Sequence, residues 1–227
     1  MNHINSEAFW EQSWKTIDPI RVSSYIQGFD TTQDAIINFL KTRKVTHVCD
    51  AGCGCGVYSL KLAQHGFSIS GFDMAENAVL LTKKLLAEKG FSAENFKQAN
   101  ILATGYPDSC FDAVVARDVV DHLPIKQGIR AIEELLRIVR PGGYVLLTLD
   151  AADDEYEAEP HEINEDGDYI FCRGKWDGMV FHPYSRSEAA KLTAGRDSKL
   201  LQNRKEIIVM IENQTQGKKC CVKPMIK

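Results

Sequence analysis

No run of 18 apolar residues occurs anywhere in the 227-residue chain, which argues against a membrane-spanning helix. Charge of one sign is equally scarce. The 27 Lys and Arg against 31 Asp and Glu leave a formal net charge of −4, so no global cationic field exists to hold a polyanion, and nucleic acid is disfavoured as a partner. The seven cysteines (Cys49, Cys53, Cys55, Cys110, Cys172, Cys220, Cys221) form no evenly spaced framework, which excludes a disulfide scaffold and points to reduced thiols. The opening residues MNHINSEAFW lack the basic flank and apolar run of a secretion signal. Internal repeats and low-complexity stretches are missing too. With 44% hydrophobic residues the chain can bury one full core, and the expectation is a soluble, cytoplasmic catalytic domain with short additions.

What is present centres on residues 45–56, reading VTHVCDAGCGCG. A short apolar strand runs into the acidic Asp50, glycines follow at Gly52, Gly54 and Gly56, and residues 57–64 read as a helix. Glycine suits such an elbow because it tolerates positive φ and lets the backbone lie against a ligand. As a dinucleotide fingerprint GxGxxG the stretch is incomplete, since the third glycine would fall on Val57. As Asp-x-Gly-x-Gly-x-Gly it matches at every fixed position, and it resembles the first motif of class I S-adenosylmethionine-dependent methyltransferases. A nearby carboxylate is awkward for a pyrophosphate at a helix N-terminus, whereas a zwitterionic amino acid carrying a sulfonium can exploit Asp50.

Downstream, strands and helices alternate. Residues 67–72 read as a second strand ending at Asp73, 76–89 as a helix, 95–99 as a third strand, and 111–116 as a fourth, buried on both faces. Residues 127–140 form an amphipathic helix closed by Pro141-Gly142-Gly143, and 144–149 a fifth strand. Residues 200–203 and 207–211 read as the last two strands. The pattern is that of an α/β, doubly wound, mostly parallel sheet with helices on both faces. The resemblance, which covers roughly residues 45–150, implies a Rossmann-like methyltransferase fold of seven strands with the last one antiparallel.

Open α/β sheets bind ligands beyond the carboxyl ends of their strands, and several candidates collect there. Asp73 lies about 20 residues past the elbow, the distance at which a carboxylate can hold ribose hydroxyls. By resemblance, Asp73 takes the ribose, Met74 packs on adenine, Asn100 and Ile101 stand where an acidic residue commonly holds the adenine amino group, and the Arg117 backbone holds the methionine amino group. The elbow itself contributes Asp50, Gly52, Cys53, Gly54 and Gly56. S-adenosylmethionine is then the cofactor and S-adenosylhomocysteine its product. His122 is the first candidate for a base, since an unperturbed imidazole suits proton removal near neutrality, and Asp118 is the second; a structural histidine at a helix start is the competing reading. No metal set is read, because Cys53 and Cys55 are too few for one.

The flanks carry less information. Residues 1–44 read as an aromatic helical segment in which Trp10, Trp14 and Tyr25 can form a lid over the site or simply pack outside the core. The domain proper is 45–227, with an acidic insertion at about residues 151–185. Nine acidic residues and no Lys or Arg fall between 153 and 168, a composition suited to a solvated flap. Residues 169–172 and 179–182 can pair as two strands in the place where relatives elaborate a substrate cover. Neither Asn/Asp-Pro-Pro-Tyr after the fourth strand nor a Pro-Cys dipeptide occurs, so a small-molecule acceptor is expected rather than a nucleobase. Two other readings stay open: a nicotinamide-dependent oxidoreductase, and a cofactor-binding module acting through a protein partner.

Overall fold

The computed structural model describes residues 6–17, 32–150, 154–202 and 206–214. Its centre is a seven-stranded sheet in the order β3-β2-β1-β4-β5-β10-β9. The strands are β1 (His47–Ala51), β2 (Ser68–Asp73), β3 (Phe96–Gln98), β4 (Phe111–Arg117), β5 (Val139–Asp150), β9 (Asp197–Gln202) and β10 (Glu206–Glu212). The first five run parallel, and β10 is antiparallel to both β5 and β9. Strand order reverses between β1 and β4, so the carboxyl ends of these two strands open onto the crevice where such sheets bind ligands.

Both faces of the sheet are covered, which is why β4 reads as an unbroken apolar run. Its Val114 and Ala116 join one core cluster, with Leu135 and Ile138 of α5 (Ile125–Ile138) and Val209 and Ile211 of β10. Ala113 and Val115 join the other, with Ile36, Ile37 and Leu40 of α2 (Thr32–Thr42), Leu60 of α3 (Val57–Gln64) and Leu86 of α4 (Glu76–Glu88). Strand period two therefore divides one sequence between two cores.

The expected boundary at Pro141-Gly142-Gly143 is corrected. Helix α5 ends at Ile138 and the chain is already paired at Val139, opposite Phe111. The Pro-Gly-Gly triplet bends the entry to β5 instead of ending the helix. Gly142 takes φ +75°, and a Cβ on Gly143 would come within 2.4 Å of the Asp112 carbonyl oxygen, so backbone packs where a side chain cannot fit.

The acidic insertion is also more structured than its composition suggests. It holds α6 (Asp154–Ala158) and a three-stranded antiparallel sheet of β6 (His161–Ile163), β7 (Tyr169–Phe171) and β8 (Val180–Phe181). The pairing of β7 with β8 follows the sequence reading; β6, inside the acidic run, does not. Asp168 is buried, accepting from the Ile125 backbone N–H at 3.0 Å and lying 2.9 Å from His182 Nδ1. A carboxylate expected in solvent thus caps the start of α5. Helix α7 (Arg186–Leu192) follows, begun by a reciprocal capping box between Ser185 and Glu188. Tyr25 and the basic tail, residues 218–227, lie outside the described residues.

The amino end of the sheet is tied by Asp112. Its Oδ2 accepts from the Thr46 N–H, the Thr46 hydroxyl and the His47 N–H at 2.8, 2.6 and 3.0 Å, and its Oδ1 from Arg140 Nε at 2.7 Å. Burial alone would raise this carboxyl, but the bonds from Thr46, Arg140 and His47 outweigh it and hold it well below the usual range. A depressed folded-state pKa contributes stability above the unfolded value, lost as pH falls toward the folded one. Asp112→Ala should cost roughly 2–3 kcal/mol at pH 7, and its deficit against the wild type should shrink below about pH 4. Urea titrations at pH 7 and pH 3 measure both; an equal deficit at the two values contradicts the charge-assisted role.

Candidate active site

Between Ala51 and α3 the elbow follows the sequence closely. Gly52, Gly54 and Gly56 all take positive φ, at +73°, +52° and +81°. The Gly52 and Cys53 N–H groups donate to the Phe72 carbonyl at 2.8 and 3.0 Å, which pins the elbow to the tip of β2. Here the lack of side chains has a second use, because neighbours press on every glycine. A Cβ on Gly52 would stand 2.5 Å from Val119 Cγ2, on Gly54 3.0 Å from the Trp14 ring, and on Gly56 2.7 Å from Thr82 Cα.

The two acidic residues of the elbow and β2 diverge. Asp73 lines the cleft beside Gly52, and its carboxylate accepts from the Gly54 N–H and the Ala75 N–H, each at 2.9 Å. Burial pushes it up to about 6 against the pull of those bonds. Asp50 turns away from the cleft into the protein. Its Oδ2 accepts from the Ser59 hydroxyl at 2.5 Å, and burial pushes it to about 6 despite that bond and the Arg117 charge. The expectation that Asp50 meets a ligand directly is therefore corrected: it anchors α3 under the elbow.

The cleft encloses about 550 Å³ counting its open mouth. Trp10, Trp14, Gly52, Asp73, Met74, Ile101, Asp118 and His122 line it, as the sequence suggested. Phe72, Val119 and Leu123 line it as well; they were missed because an apolar residue at a strand end carries no chemical signal apart from position. Besides Asp50, the expected Cys53, Gly54, Gly56, Asn100 and Arg117 are not part of that lining. Asn100 is exposed and spends its Oδ1 on the Leu102 N–H at 2.9 Å, a local turn that takes it from the adenine role. Cys53 is buried beside Thr82, and burial first, then the charges of Asp73 and Asp50, raises its thiol well above the ordinary value. Such a thiol is unreactive. Arg117 directs its guanidinium over the Tyr58 ring at 5.1 Å and toward Asp118 Oδ2 at 3.5 Å.

One wall comes from α1 (Ser6–Lys15). Its Glu11 bonds both the backbone and the side-chain nitrogen of Asn77 at the start of α4, which fixes the helix across the cleft. Trp10 meets His122 edge-on at 4.8 Å and stacks toward Trp14 at 6.3 Å. Behind His122 stands the aromatic cluster of the small sheet, where Tyr156 stacks on Phe181 at 4.0 Å. Burial pushes the His122 imidazole down to about 4, only partly offset by the Asp118 charge and the Val180 backbone. It is neutral at neutral pH. Its Nδ1 is sealed from solvent and finds no partner.

Asp118 follows β4 at φ +52°, a conformation that costs a non-glycine residue about 1–2 kcal/mol. Thr148 holds it there: the Asp118 N–H donates to the Thr148 carbonyl and hydroxyl oxygens at 3.2 and 3.1 Å, and the Thr148 hydroxyl donates to Asp118 Oδ1 at 2.5 Å. The strain turns the carboxylate toward the tips of β4 and β5.

The comparisons with known proteins agree with this geometry. A family model described as a methyltransferase domain matches residues 42–204. Over 103 residues the chain is 34% identical to a ubiquinone biosynthesis O-methyltransferase of Pseudomonas fluorescens, covering 44% of this chain and 43% of that one. It is 31% identical over 137 residues to the 2-heptyl-1-hydroxyquinolin-4(1H)-one methyltransferase of Mycobacteroides abscessus, covering 59% and 60%. The matched stretch thus spans less than half of the ubiquinone-pathway relative. Among solved structures, a protein from Pyrococcus horikoshii OT3 has a TM-score of 0.73 at 15% identity, over 88% of this chain and 98% of that one. Magnesium protoporphyrin IX methyltransferase from Synechocystis PCC 6803, solved with bound SAM, reaches 0.64 at 16%, over 93% and 99%. At such identities the likeness concerns the fold.

Gly56 and Gly66 separate packing from backbone strain at the elbow. Both have positive φ, but a Cβ on Gly66 would meet nothing within 4 Å. Gly66→Ala should lose about 1 kcal/mol, and Gly56→Ala a further 1–3 kcal/mol or so from overpacking against Thr82. Denaturant titration of the two variants measures the difference, and equal losses would show that the elbow is not pressed on Thr82.

Proposed function

This chain belongs to the methyltransferase-domain family, and from that premise we propose that it moves the methyl group of S-adenosylmethionine onto an oxygen nucleophile of a small-molecule acceptor. The observation that carries the reading is the buried Asp73 carboxylate in the lining of a cleft that the elbow enters at Gly52. Asp73 accepts from the ribose hydroxyls, Met74 and Ile101 flank the adenine, and the backbone of the elbow and of Arg117 lies along the methionine moiety. The oxidoreductase reading gives way. Its third glycine position is Val57, a buried residue in the first turn of α3.

In the reaction, an acceptor oxygen attacks the methyl carbon in line with the sulfur. When bound, S-adenosylmethionine would supply the methyl group: the new O–C bond replaces the S–C bond, a neutral thioether is left, and the acceptor's proton passes to solvent at the cleft mouth. When the acceptor attacks as its oxyanion, two opposite charges cancel along this path, so a water-poor cleft favours it. Trp10, Trp14, Phe72, Val119 and Leu123 supply such walls, with α1 acting as the lid. Orientation contributes on the order of 7–11 kcal/mol, against the ~10²–10⁴-fold of a positioned base. A histidine with a proton affinity near 4 is a poor base at neutral pH, so His122 serves as a neutral wall of the acceptor side. The ring-bearing acceptors named for the curated relatives fit the aromatic roof behind it.

Calorimetry with S-adenosylhomocysteine, followed by labelled-methyl transfer into a metabolite extract, tests the reading; absence of binding to the wild type defeats it. The carboxylate that accepts from ribose must be ionised, and Asp73 takes its proton near pH 6. Affinity should therefore fall as pH drops below about 6, by up to roughly tenfold per unit. Asp73→Asn should bind weakly and without that slope, and a wild-type affinity constant from pH 7.5 to 5 would remove Asp73 from the ribose.

His122→Ala should lower turnover while leaving S-adenosylhomocysteine affinity within about twofold, since it stands beyond the elbow. With its imidazole near 4, the wild-type rate should show no limb at the ordinary histidine value of about 6.5. A limb there that disappears in His122→Ala would restore the residue as the base.

A further inference from the structure

We propose that the sheet carries a second ligand site, at the amino ends of β1 and β4 beside the edge strand β3, and that it takes a small aromatic carboxylate. After β1, β2 and β4 the crossover lays a helix on the sheet, namely α3, α4 and α5. After β3 it does not. The chain from Gln98 to Phe111 contains no helix, so only a loop carrying Tyr106 covers the sheet there. A cavity of about 630 Å³, counting its open mouth, remains, lined among others by His47, Ser70, Lys97, Tyr106, Cys110 and Phe111. It shares no lining residue with the cleft, and the strand rise separates His47 from Ala51 by about 13 Å.

The floor of this cavity departs from the rest of its sheet face. Cys49, Phe72 and Val114 on that face belong to the apolar core, yet His47 and Ser70, two residues before Cys49 and Phe72 and so on the same side, are polar. Lys97 pairs with Phe72 across β2 and β3 and extends the polar row. Ser70 is buried. Its Oγ lies 2.9 Å from His47 Nε2, and neither side chain has a further hydrogen-bond partner among the described residues. One hydrogen is shared within the pair, so in either tautomer the Ser70 O–H or the His47 Nδ1–H is left as a donor with nothing to meet. Lys97 is in a similar position: its Nζ sits 3.8 Å from the Tyr106 ring centroid, with no ion-pair partner among the described residues.

A spare donor on the floor and an ammonium on the wall call for an anionic acceptor, which such groups bind by charge-assisted hydrogen bonds. Glu94, an exposed residue of the same lining, adds a negative charge, so one ammonium suits a monoanion better than a phosphate dianion. The remaining walls are rings. Phe111 meets His47 and Tyr106 edge-on, each at 4.9 Å, an arrangement that a further flat ring can extend. The volume is that of a small-molecule site. Nothing in this inference rests on the methyl-transfer reading.

Calorimetric titration of the full chain with 2-naphthoate, alone and again with S-adenosylhomocysteine present, tests the site. One saturable site is expected, with the same affinity in both titrations. Lys97→Met, which keeps the stem and removes the charge, should weaken 2-naphthoate by roughly 10- to 100-fold, while Arg130→Met, exposed on α5 and outside the lining, should bind as the wild type does. The uncharged 2-naphthamide should bind the wild type more weakly by a similar factor, which keeps the charge requirement testable if Lys97→Met fails to fold. No saturable uptake at millimolar concentration, displacement by S-adenosylhomocysteine, equal affinity for the amide, or unchanged uptake by Lys97→Met overturns the proposal. Because S-adenosylhomocysteine binding is read on its own, its failure removes the cofactor reading and leaves this site standing, and the reverse holds too.

Discussion

Carboxylates sunk into apolar walls at the tips of parallel strands are the constraint around which this structure is arranged. Burying an ionised carboxylate costs several kcal/mol unless donors meet it, and β1 and β2 each end on or near such a group. The donors come from what lies beyond the strand: the Ser59 hydroxyl for Asp50, and the Gly54 and Ala75 N–H groups for Asp73. The glycine elbow is thus more than a gap for a ligand. Positive φ at Gly52 and Gly54 lets successive N–H groups reach Phe72 and Asp73, so the backbone turn and the β2 carboxylate hold each other in place.

A second layer depends on the first. Helix α1 has no fully buried residue and would be a marginal helix alone, since short helices gain most of their stability from tertiary packing. It is held by Trp14 against Gly54, by Trp10 against His122, and by Glu11 on Asn77. Those contacts exist only because the elbow offers bare backbone and His122 offers a neutral ring. The small sheet β6-β7-β8 meets the same region from the other side, its Phe181 5.7 Å from the His122 ring and its buried His182 bonded through its N–H to the Asp121 carbonyl. One histidine therefore stands between α1 and the insertion, and its low proton affinity follows from burial there.

Much of this was legible in the residues, for identifiable reasons. The parallel strands announced themselves because burial on both faces forbids polar interruptions, and the elbow because three alternating glycines after an acidic residue have few other uses. Asp73 lines the cleft because it ends β2; Asp50 does not, because strand alternation turns its side chain under the elbow, and one sequence cannot show to which face a strand's last residues point. Asn100 stays out of the cleft lining for a local reason: a short polar side chain can bond its own backbone two residues on when the turn allows. The acidic run misled because composition averages over residues. Glu157, Glu162, Glu165 and Asp166 are exposed, while Asp168 is buried as a cap.

Protonation ties these parts together. Every buried group around the cleft with a shifted affinity moves toward its neutral form: Asp50 and Asp73 up to about 6, Asp121 well above its ordinary value, His122 down to about 4. The resting cleft is therefore less charged than its residues imply, even though its lining contains no Lys or Arg. A group whose folded-state affinity is raised stabilises the fold below its unfolded value, and that contribution fades as pH climbs through the folded one, here from about 4 to 6 for Asp50 and Asp73. Above pH 6 the protein carries buried negative charge at some cost to stability. Any cation entering the cleft, a sulfonium or a metal ion, relieves that cost and releases protons as it binds. The fold thus holds in reserve, near neutrality, a field that favours positive ligands over anions, and it does so with a chain whose net charge of −4 would hardly suggest one.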